Sequence, residues 1–195
     1  MPPSTKPPVE LDELLASEFD YIAQTAMQAN EDRARVSSFY LIAVGSLIAA
    51  LFSTQLFDEA NFTQIVKFMI SGIFTLLTVM GTSTVLQLAR LRAAWYESML
   101  AMNQIKDFAM QQNPELTNAF RWRTSTLPKK FKKRSISYFQ AIEVSLISGL
   151  MLGASIFFLV QAFRPTVGLL HWTLAIPAGI FIIFIQLTLY QRSLQ

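Results

Sequence analysis

The residues best placed to do chemistry in this chain are hydroxyls on one face of an apolar stretch. Gln64, Lys67, Ser71, Thr75, Thr78 and Thr82 recur at three- and four-residue spacing, so a helix carries them as a single polar stripe. Inside a membrane such a stripe could line a water-filled path, with hydroxyls standing in for hydration and Lys67 at the outer mouth disfavouring cations. The same residues could equally bond back to their own helix carbonyls or to a neighbouring helix, with Lys67 reaching the headgroups. Catalytic chemistry is harder to find. The chain has no Cys and a single His, His171, which removes thiolate nucleophiles, His-based zinc sites and nearly all Ser-His relays. No phosphate-cradling loop, metal-ligand set or carboxylate at the centre of an apolar stretch is present, so neither an enzyme nor a bound cofactor is expected.

Four other features are candidates. Ser137, Ala141, Ser145, Gly149 and Gly153 recur every four residues and form a small-residue face. In lipid, close backbone approach along such a face holds helices together. Ser145, Gly149 and Gly153 could therefore join two copies of the chain or pack one span on another within a copy. Near the membrane, Asp32 and Arg33 stand at a depth similar to Arg92 and Glu97, which suggests Asp32–Arg92 and Arg33–Glu97 ion pairs. Left in solvent, such charges would only mark topology, at about 0–1 kcal/mol per pair. The run Lys129, Lys130, Lys132, Lys133 and Arg134 could hold anionic lipid headgroups, or serve only as a topology signal. Nucleic acid is not an expected partner, because the run is tied to the membrane and lacks a binding fold. His171, next to Trp172, is a pH-responsive group or an interfacial anchor.

These residues need elements to position them, and the composition says which. Of 195 residues, 52% are apolar and 15% charged, well below the ~25% charged of soluble domains. The stretches Val36–Phe57, Phe68–Ala89, Val144–Phe163 and Pro165–Gln191 carry no acid, Lys or Arg. Each reaches the roughly 20 residues that cross a ~30 Å hydrocarbon core. The expected fold is all-α: a polytopic membrane protein of four transmembrane helices in two hairpins with cytoplasmic helical extensions. Ten of the 16 basic residues lie between the second and third stretches: Arg90, Arg92, Lys106, Arg121, Arg123 and the five of the basic run. The outer turns have Lys67, with Asp58 and Glu59, and Arg164. The positive-inside rule puts the middle segment and both termini in the cytoplasm, and the protein in a plasma (inner) membrane.

Along the chain, residues 1–8 hold four prolines and read as a disordered tail. Residues 9–35 form an amphipathic helix whose stripe is Leu15, Phe19, Ile22, Ala26, Ala29 and Val36, leading into the first hairpin at 36–89. Leu88, Leu91, Trp95, Met99, Met102, Ile105 and Ala109 form a matching stripe, so 90–135 is a helical segment ending in a basic loop. Asn113-Pro114-Glu115 reads as a new helix start. The second hairpin covers 136–191, and Pro177 should bend its last helix. Residues 38–51 resemble 137–150, which suggests either a parallel internal repeat or chance similarity of Leu-, Ile- and Ser-rich spans.

The layout of Tyr21–Phe52, with Asn30-Glu31-Asp32-Arg33-Ala34, and of the exit helix Leu91–Ile105 resembles the SLATT-type membrane effectors of bacterial conflict systems. The resemblance covers about the first half of the chain, and the second hairpin departs from the family's two-span pattern. It implies an oligomeric pore set off by a nucleotide-sensing partner. The residues themselves point to a non-enzymatic membrane subunit or scaffold working through helix packing and its cytoplasmic surface. Its expected partners are the bilayer, anionic headgroups, and a second copy or another membrane protein. The pore-type defence effector is the alternative.

Orientation can be tested directly, since the chain is free of Cys. A single Cys placed at Ser125 should resist an impermeant thiol reagent added to intact cells and react once the membrane is opened. Labelling from outside would reverse the assigned orientation.

Overall fold

No Gly or Pro interrupts residues 11–44, and none interrupts residues 82–112, so nothing in the chain stops either amphipathic stretch from running on as helix. The computed structural model describes residues 11–54 and 62–195. The proline-rich 1–8 tail, Asp58 and Glu59 fall outside them. Helix α1 runs Leu11–Ser53 and α2 runs Gln64–Gln112, 43 and 49 residues. At 1.5 Å per residue these are about 65 and 74 Å long, twice the hydrocarbon thickness or more. Helix α3 (Ile136–Phe163) and α4 (Leu169–Arg192), at 28 and 24 residues, are little longer than a span. The protein is all-helical, and each of the four helices is long and apolar enough to cross a membrane.

Local chemistry sets the helix ends. The Thr63 hydroxyl accepts from the Val66 amide at the start of α2, and Ser135 accepts from the Tyr138 amide at the start of α3. Asn113 ends α2 and its side chain accepts from the Glu115 amide, but the new start yields only a 3₁₀ turn, Pro114–Asn118. A second 3₁₀ turn covers Thr124–Thr126, and the chain then reaches α3 through the basic loop. Pro177 is accommodated within a continuous α4.

Helix α2 is central. It packs along α1 and α3 and touches α4, while α3 and α4 form the second hairpin. The core between them draws on Tyr40 and Val44 from α1, Ile70, Leu77, Val85 and Leu88 from α2, Val144 and Met151 from α3, and Tyr190. Phe158 stacks on Phe74 with ring centres 5.9 Å apart. Large apolar side chains such as Phe39, Ile42, Leu150, Phe181 and Phe184 point outward. On a helix of this length and hydropathy, that outward face suits acyl chains. The two hairpins are not equivalent at the positions the sequence aligns. Carried along the chain, the same offset of 99 residues pairs Ser46 with Ser145 and Gln87 with Gln186; Ser46 and Gln87 are exposed, whereas Ser145 and Gln186 are fully buried.

Beyond the spans, α1 and α2 continue side by side and close a second, smaller core. Ile22, Ala26 and Met102 are buried there, with Phe19, Trp95, Met99 and Ile105 packed around them. The middle parts of the two expected stripes, Phe19, Ile22 and Ala26 with Trp95, Met99, Met102 and Ile105, share this core, because antiparallel helices with apolar faces in phase bury both at once.

Ile22→Ala and Met102→Ala should each cost about 2 kcal/mol, the low end for emptying a buried site. Tyr21→Ala, on the exposed side of the same helix, should cost less than about 0.5 kcal/mol. Unfolding followed by Trp95 fluorescence, with Trp122 and Trp172 changed to Phe, measures this. Additive losses in the Ile22→Ala, Met102→Ala double variant would mean the two side chains do not share a core.

Candidate functional site

Ser71, Thr75, Thr78 and Thr82 of the α2 stripe bond to α3 and α4 of the same chain, whereas Gln64 is exposed, and Thr75 stays exposed in spite of its contact with Ser155. Each threonine first satisfies itself: Thr75, Thr78 and Thr82 donate to the carbonyls of Ser71, Phe74 and Thr78, four residues back, at 3.0 Å. Crossing bonds then join the helices. Ser155 of α3 donates to the Ser71 carbonyl at 2.9 Å, and its oxygen lies 2.7 Å from the Thr75 hydroxyl and 3.1 Å from the Ser71 hydroxyl. Ser148 donates to the Thr78 carbonyl at 3.2 Å. Gln186 of α4 gives one amide hydrogen to Thr82 at 2.8 Å and the other to Ser148 at 2.7 Å. With the hydroxyl protons of Thr82 and Ser148 already committed to Thr78, both can only accept from Gln186, which sets the orientation of that amide. The candidate lining residues Ser71 and Thr78 are thus buried in a helix interface. Lys67 is buried too, with its ammonium 4.8 Å from the centre of the Phe62 ring.

The small-residue face of α3 packs against α4. A methyl group at Gly149 would come within 2.6 Å of the Ile183 side chain and 2.8 Å of the Gly179 carbonyl; one at Gly153 would lie 3.3 Å from the Ala175 carbonyl. The tightest approach to backbone is at Gly179 itself, where a Cβ would sit 2.6 Å from the Gly149 carbonyl. Ser145 is fully buried on the same face. Gly179 and the α3 serines 148 and 155 were not among the residues singled out from sequence. The signal for them was present but needed the partner: Ser148 and Ser155 are seven residues apart, as are Ser71 and Thr78 on α2.

His171 is 1% exposed. Its Nδ1 accepts from the Gly168 amide at 3.2 Å, which leaves the proton on Nε2 to donate to the Arg164 carbonyl, also 3.2 Å away. It ties the α3–α4 turn together beneath Phe157.

At the other end of the bundle the ion pairs differ from those expected. Asp32 pairs with Arg35 at 3.3 Å, not with Arg92. Those two residues are one turn apart on α1, and a neighbour on the same helix is reached with less ordering than one across an interface. Glu97 pairs with Lys130 at 3.2 Å, not with Arg33, because the basic loop folds back along α2. Arg92 donates through Nε to the Lys130 carbonyl at 3.3 Å and lies over the Trp95 ring. Phe131 anchors the loop edge-on against Tyr138. Of the five candidate headgroup residues, Lys130 is therefore tied down, while Lys129, Lys132, Lys133 and Arg134 are exposed. Arg134 has φ 64°, a left-handed conformation that suits glycine better.

Alanine at the three seam glycines should follow the clearances. Gly179→Ala should destabilise most, by about 2–3 kcal/mol, with Gly149→Ala next and Gly153→Ala close to neutral. Gln186→Leu should cost about 1 kcal/mol or less, since interhelical hydrogen bonds in membranes average ~0.6 kcal/mol and the change also removes a buried carbonyl oxygen that has no partner. Thermal unfolding in detergent ranks them. A Gly153→Ala loss equal to that of Gly179→Ala would contradict the α3–α4 packing.

No protein-family model matches this chain, and comparison with curated proteins and with solved structures gives no match.

Proposed function

We propose that the chain is a non-enzymatic membrane subunit or scaffold that anchors a rigid helical layer at the cytoplasmic face and offers that layer to a membrane-protein partner or a second copy. The observation that carries this reading is the bonding of the α2 stripe. Ser71, Thr75, Thr78 and Thr82 spend their hydrogen bonds on their own helix and on Ser148, Ser155 and Gln186, so the polar residues of the spans serve packing. The polarity left over is concentrated at one end. By sequence, residues 1–32 carry seven acids and residues 89–140 carry ten bases. The core around Ile22 and Met102 holds α1 and α2 together beyond the spans, which suits a surface that must keep its shape. The exposed Lys129, Lys132, Lys133 and Arg134 would rest on anionic headgroups, at ~1 kcal/mol per base.

The pore reading, which the resemblance to SLATT-type effectors suggests, asks more of the same residues. A conducting path along α2 would have to break the Ser71–Ser155 and Thr78–Ser148 contacts and replace them with water.

Reconstituted into planar bilayers, the purified full-length protein should be electrically silent across physiological voltages. Unitary conductance steps that change in size with Thr75→Val or Thr78→Val would overturn the scaffold reading in favour of the pore.

A further inference from the structure

Two arginines from different helices stand at the polar end of the bundle, and among the described residues no carboxylate pairs with either. Arg33 lies three residues before Val36, where the apolar stretch of α1 begins, and Arg92 lies three residues after Ala89, where that of α2 ends. They are therefore at the same depth, where hydrocarbon gives way to headgroups. Arg92 is only 7% exposed. Its guanidinium lies over the Trp95 ring, 4.2 Å from the ring centre, and its Nε bond to the Lys130 carbonyl uses one of five N–H donors. The Nε of Arg33 is shielded from solvent and donates to nothing. Tyr190, 1% exposed, bonds to Ser137 at 2.7 Å and stands within electrostatic reach of both guanidiniums. The nearest acids by sequence are engaged elsewhere, Asp32 with Arg35 and Glu97 with Lys130.

Burial holds both guanidiniums below their ordinary value. For Arg33 the Tyr190 phenol opposes this; for Arg92 the phenol opposes it and the Arg33 charge adds to it. Two like charges taken out of water together are costly unless something neutralises them. A pair of planar donor forks beside a phenol matches the several acceptor oxygens of a phosphate group better than it matches a point anion. Phosphate esters are also the anions abundant at that depth.

We propose that Arg33, Arg92 and the Tyr190 hydroxyl form a binding site for a phosphate group, carried either by a phospholipid headgroup or by a free phosphate anion. The site is separate from the exposed lysines of the 129–134 loop. It differs from them in kind: Arg92 and Tyr190 are buried and Arg33 half-buried, so its donors can select one group rather than accumulate many. It does not depend on the scaffold reading, because its residues are positioned whether or not the protein conducts.

The test uses delipidated full-length protein in a neutral detergent, with Tm followed against inorganic phosphate, against dioctanoyl phosphatidylglycerol, and against sodium chloride at matched ionic strength. Phosphate, the lipid or both should raise Tm saturably, and chloride should not. A response to phosphate alone assigns a free anion; a response to the lipid alone assigns a headgroup. Arg33→Gln should weaken the apparent affinity about tenfold, as expected for losing one charge-assisted contact. Arg164→Gln, at the opposite end of the bundle, should leave it unchanged. If Arg33→Gln fails to fold, Arg33→Lys, which keeps the charge and loses the fork, should show the same weakening. No saturable response to either probe, or an Arg33 variant that responds as the wild type does, overturns the site.

Discussion

Polar groups surrounded by hydrocarbon must find partners within the protein, and the rest of this structure depends on that constraint. Helix α2 carries hydroxyls along a face that would otherwise meet lipid. They are placed against Ser148 and Ser155 of α3 and Gln186 of α4. The crossing bonds are short, and the helices bearing them must approach closely. Gly81 of α2 makes that approach possible on one side, since a Cβ there would lie 2.7 Å from the Ser148 hydroxyl. Gly149, Gly153 and Gly179 do the same between α3 and α4. Hydrogen bonding and small-residue packing are two aspects of one arrangement: the glycines set the distance and the hydroxyls set the register.

The first hairpin follows a different rule. Within the spans α1 meets α2 through Tyr40, Val44 and Leu51, with few polar contacts. Its hold on α2 is completed outside the membrane, where water supplies the hydrophobic driving force that lipid lacks. Trp95, Met99 and Met102 gather around Ile22 and Ala26 because their alternative there is water. One pair of helices is thus secured by two kinds of physics along its length. The join between them is the level of Arg33 and Arg92, where charges are tolerated only if they are solvated, stacked or paired.

Charge at the polar end is arranged locally. Asp32 takes the arginine on its own helix, and Glu97 takes the lysine that the 129–134 loop brings back to α2. Arg92 is left to an aromatic face and a backbone carbonyl, and Arg33 stands at the same depth on α1. Short-range, low-entropy pairings win over cross-helix ones because exposed ion pairs contribute too little to impose a fold on their own.

Hydropathy and periodicity, read from the chain alone, were enough for the number of helices, the extension of α1 and α2 past the spans, and the matching stripes that hold Phe19, Ile22 and Ala26 on one helix and Trp95, Met99 and Met102 on the other. These follow from patterns internal to each helix, which a linear sequence displays in full. The partner of each polar residue was another matter. The α2 stripe has the same spacing whether it faces water or Ser155, and Gly149 and Gly153 have the same spacing whether they meet Gly179 or another molecule. Gly179 lies four residues after Ala175, a small-residue spacing like that of Gly149 and Gly153, but which helix that face meets is decided by the packing that sets the Gly149 carbonyl against it. The same holds for His171, whose two nitrogens close a turn that no local pattern announces. Ion pairing went to Arg35 and Lys130 because proximity in three dimensions, and the small energy at stake, decide such contacts. A sequence states what each face is made of; only the packed bundle decides which face it meets.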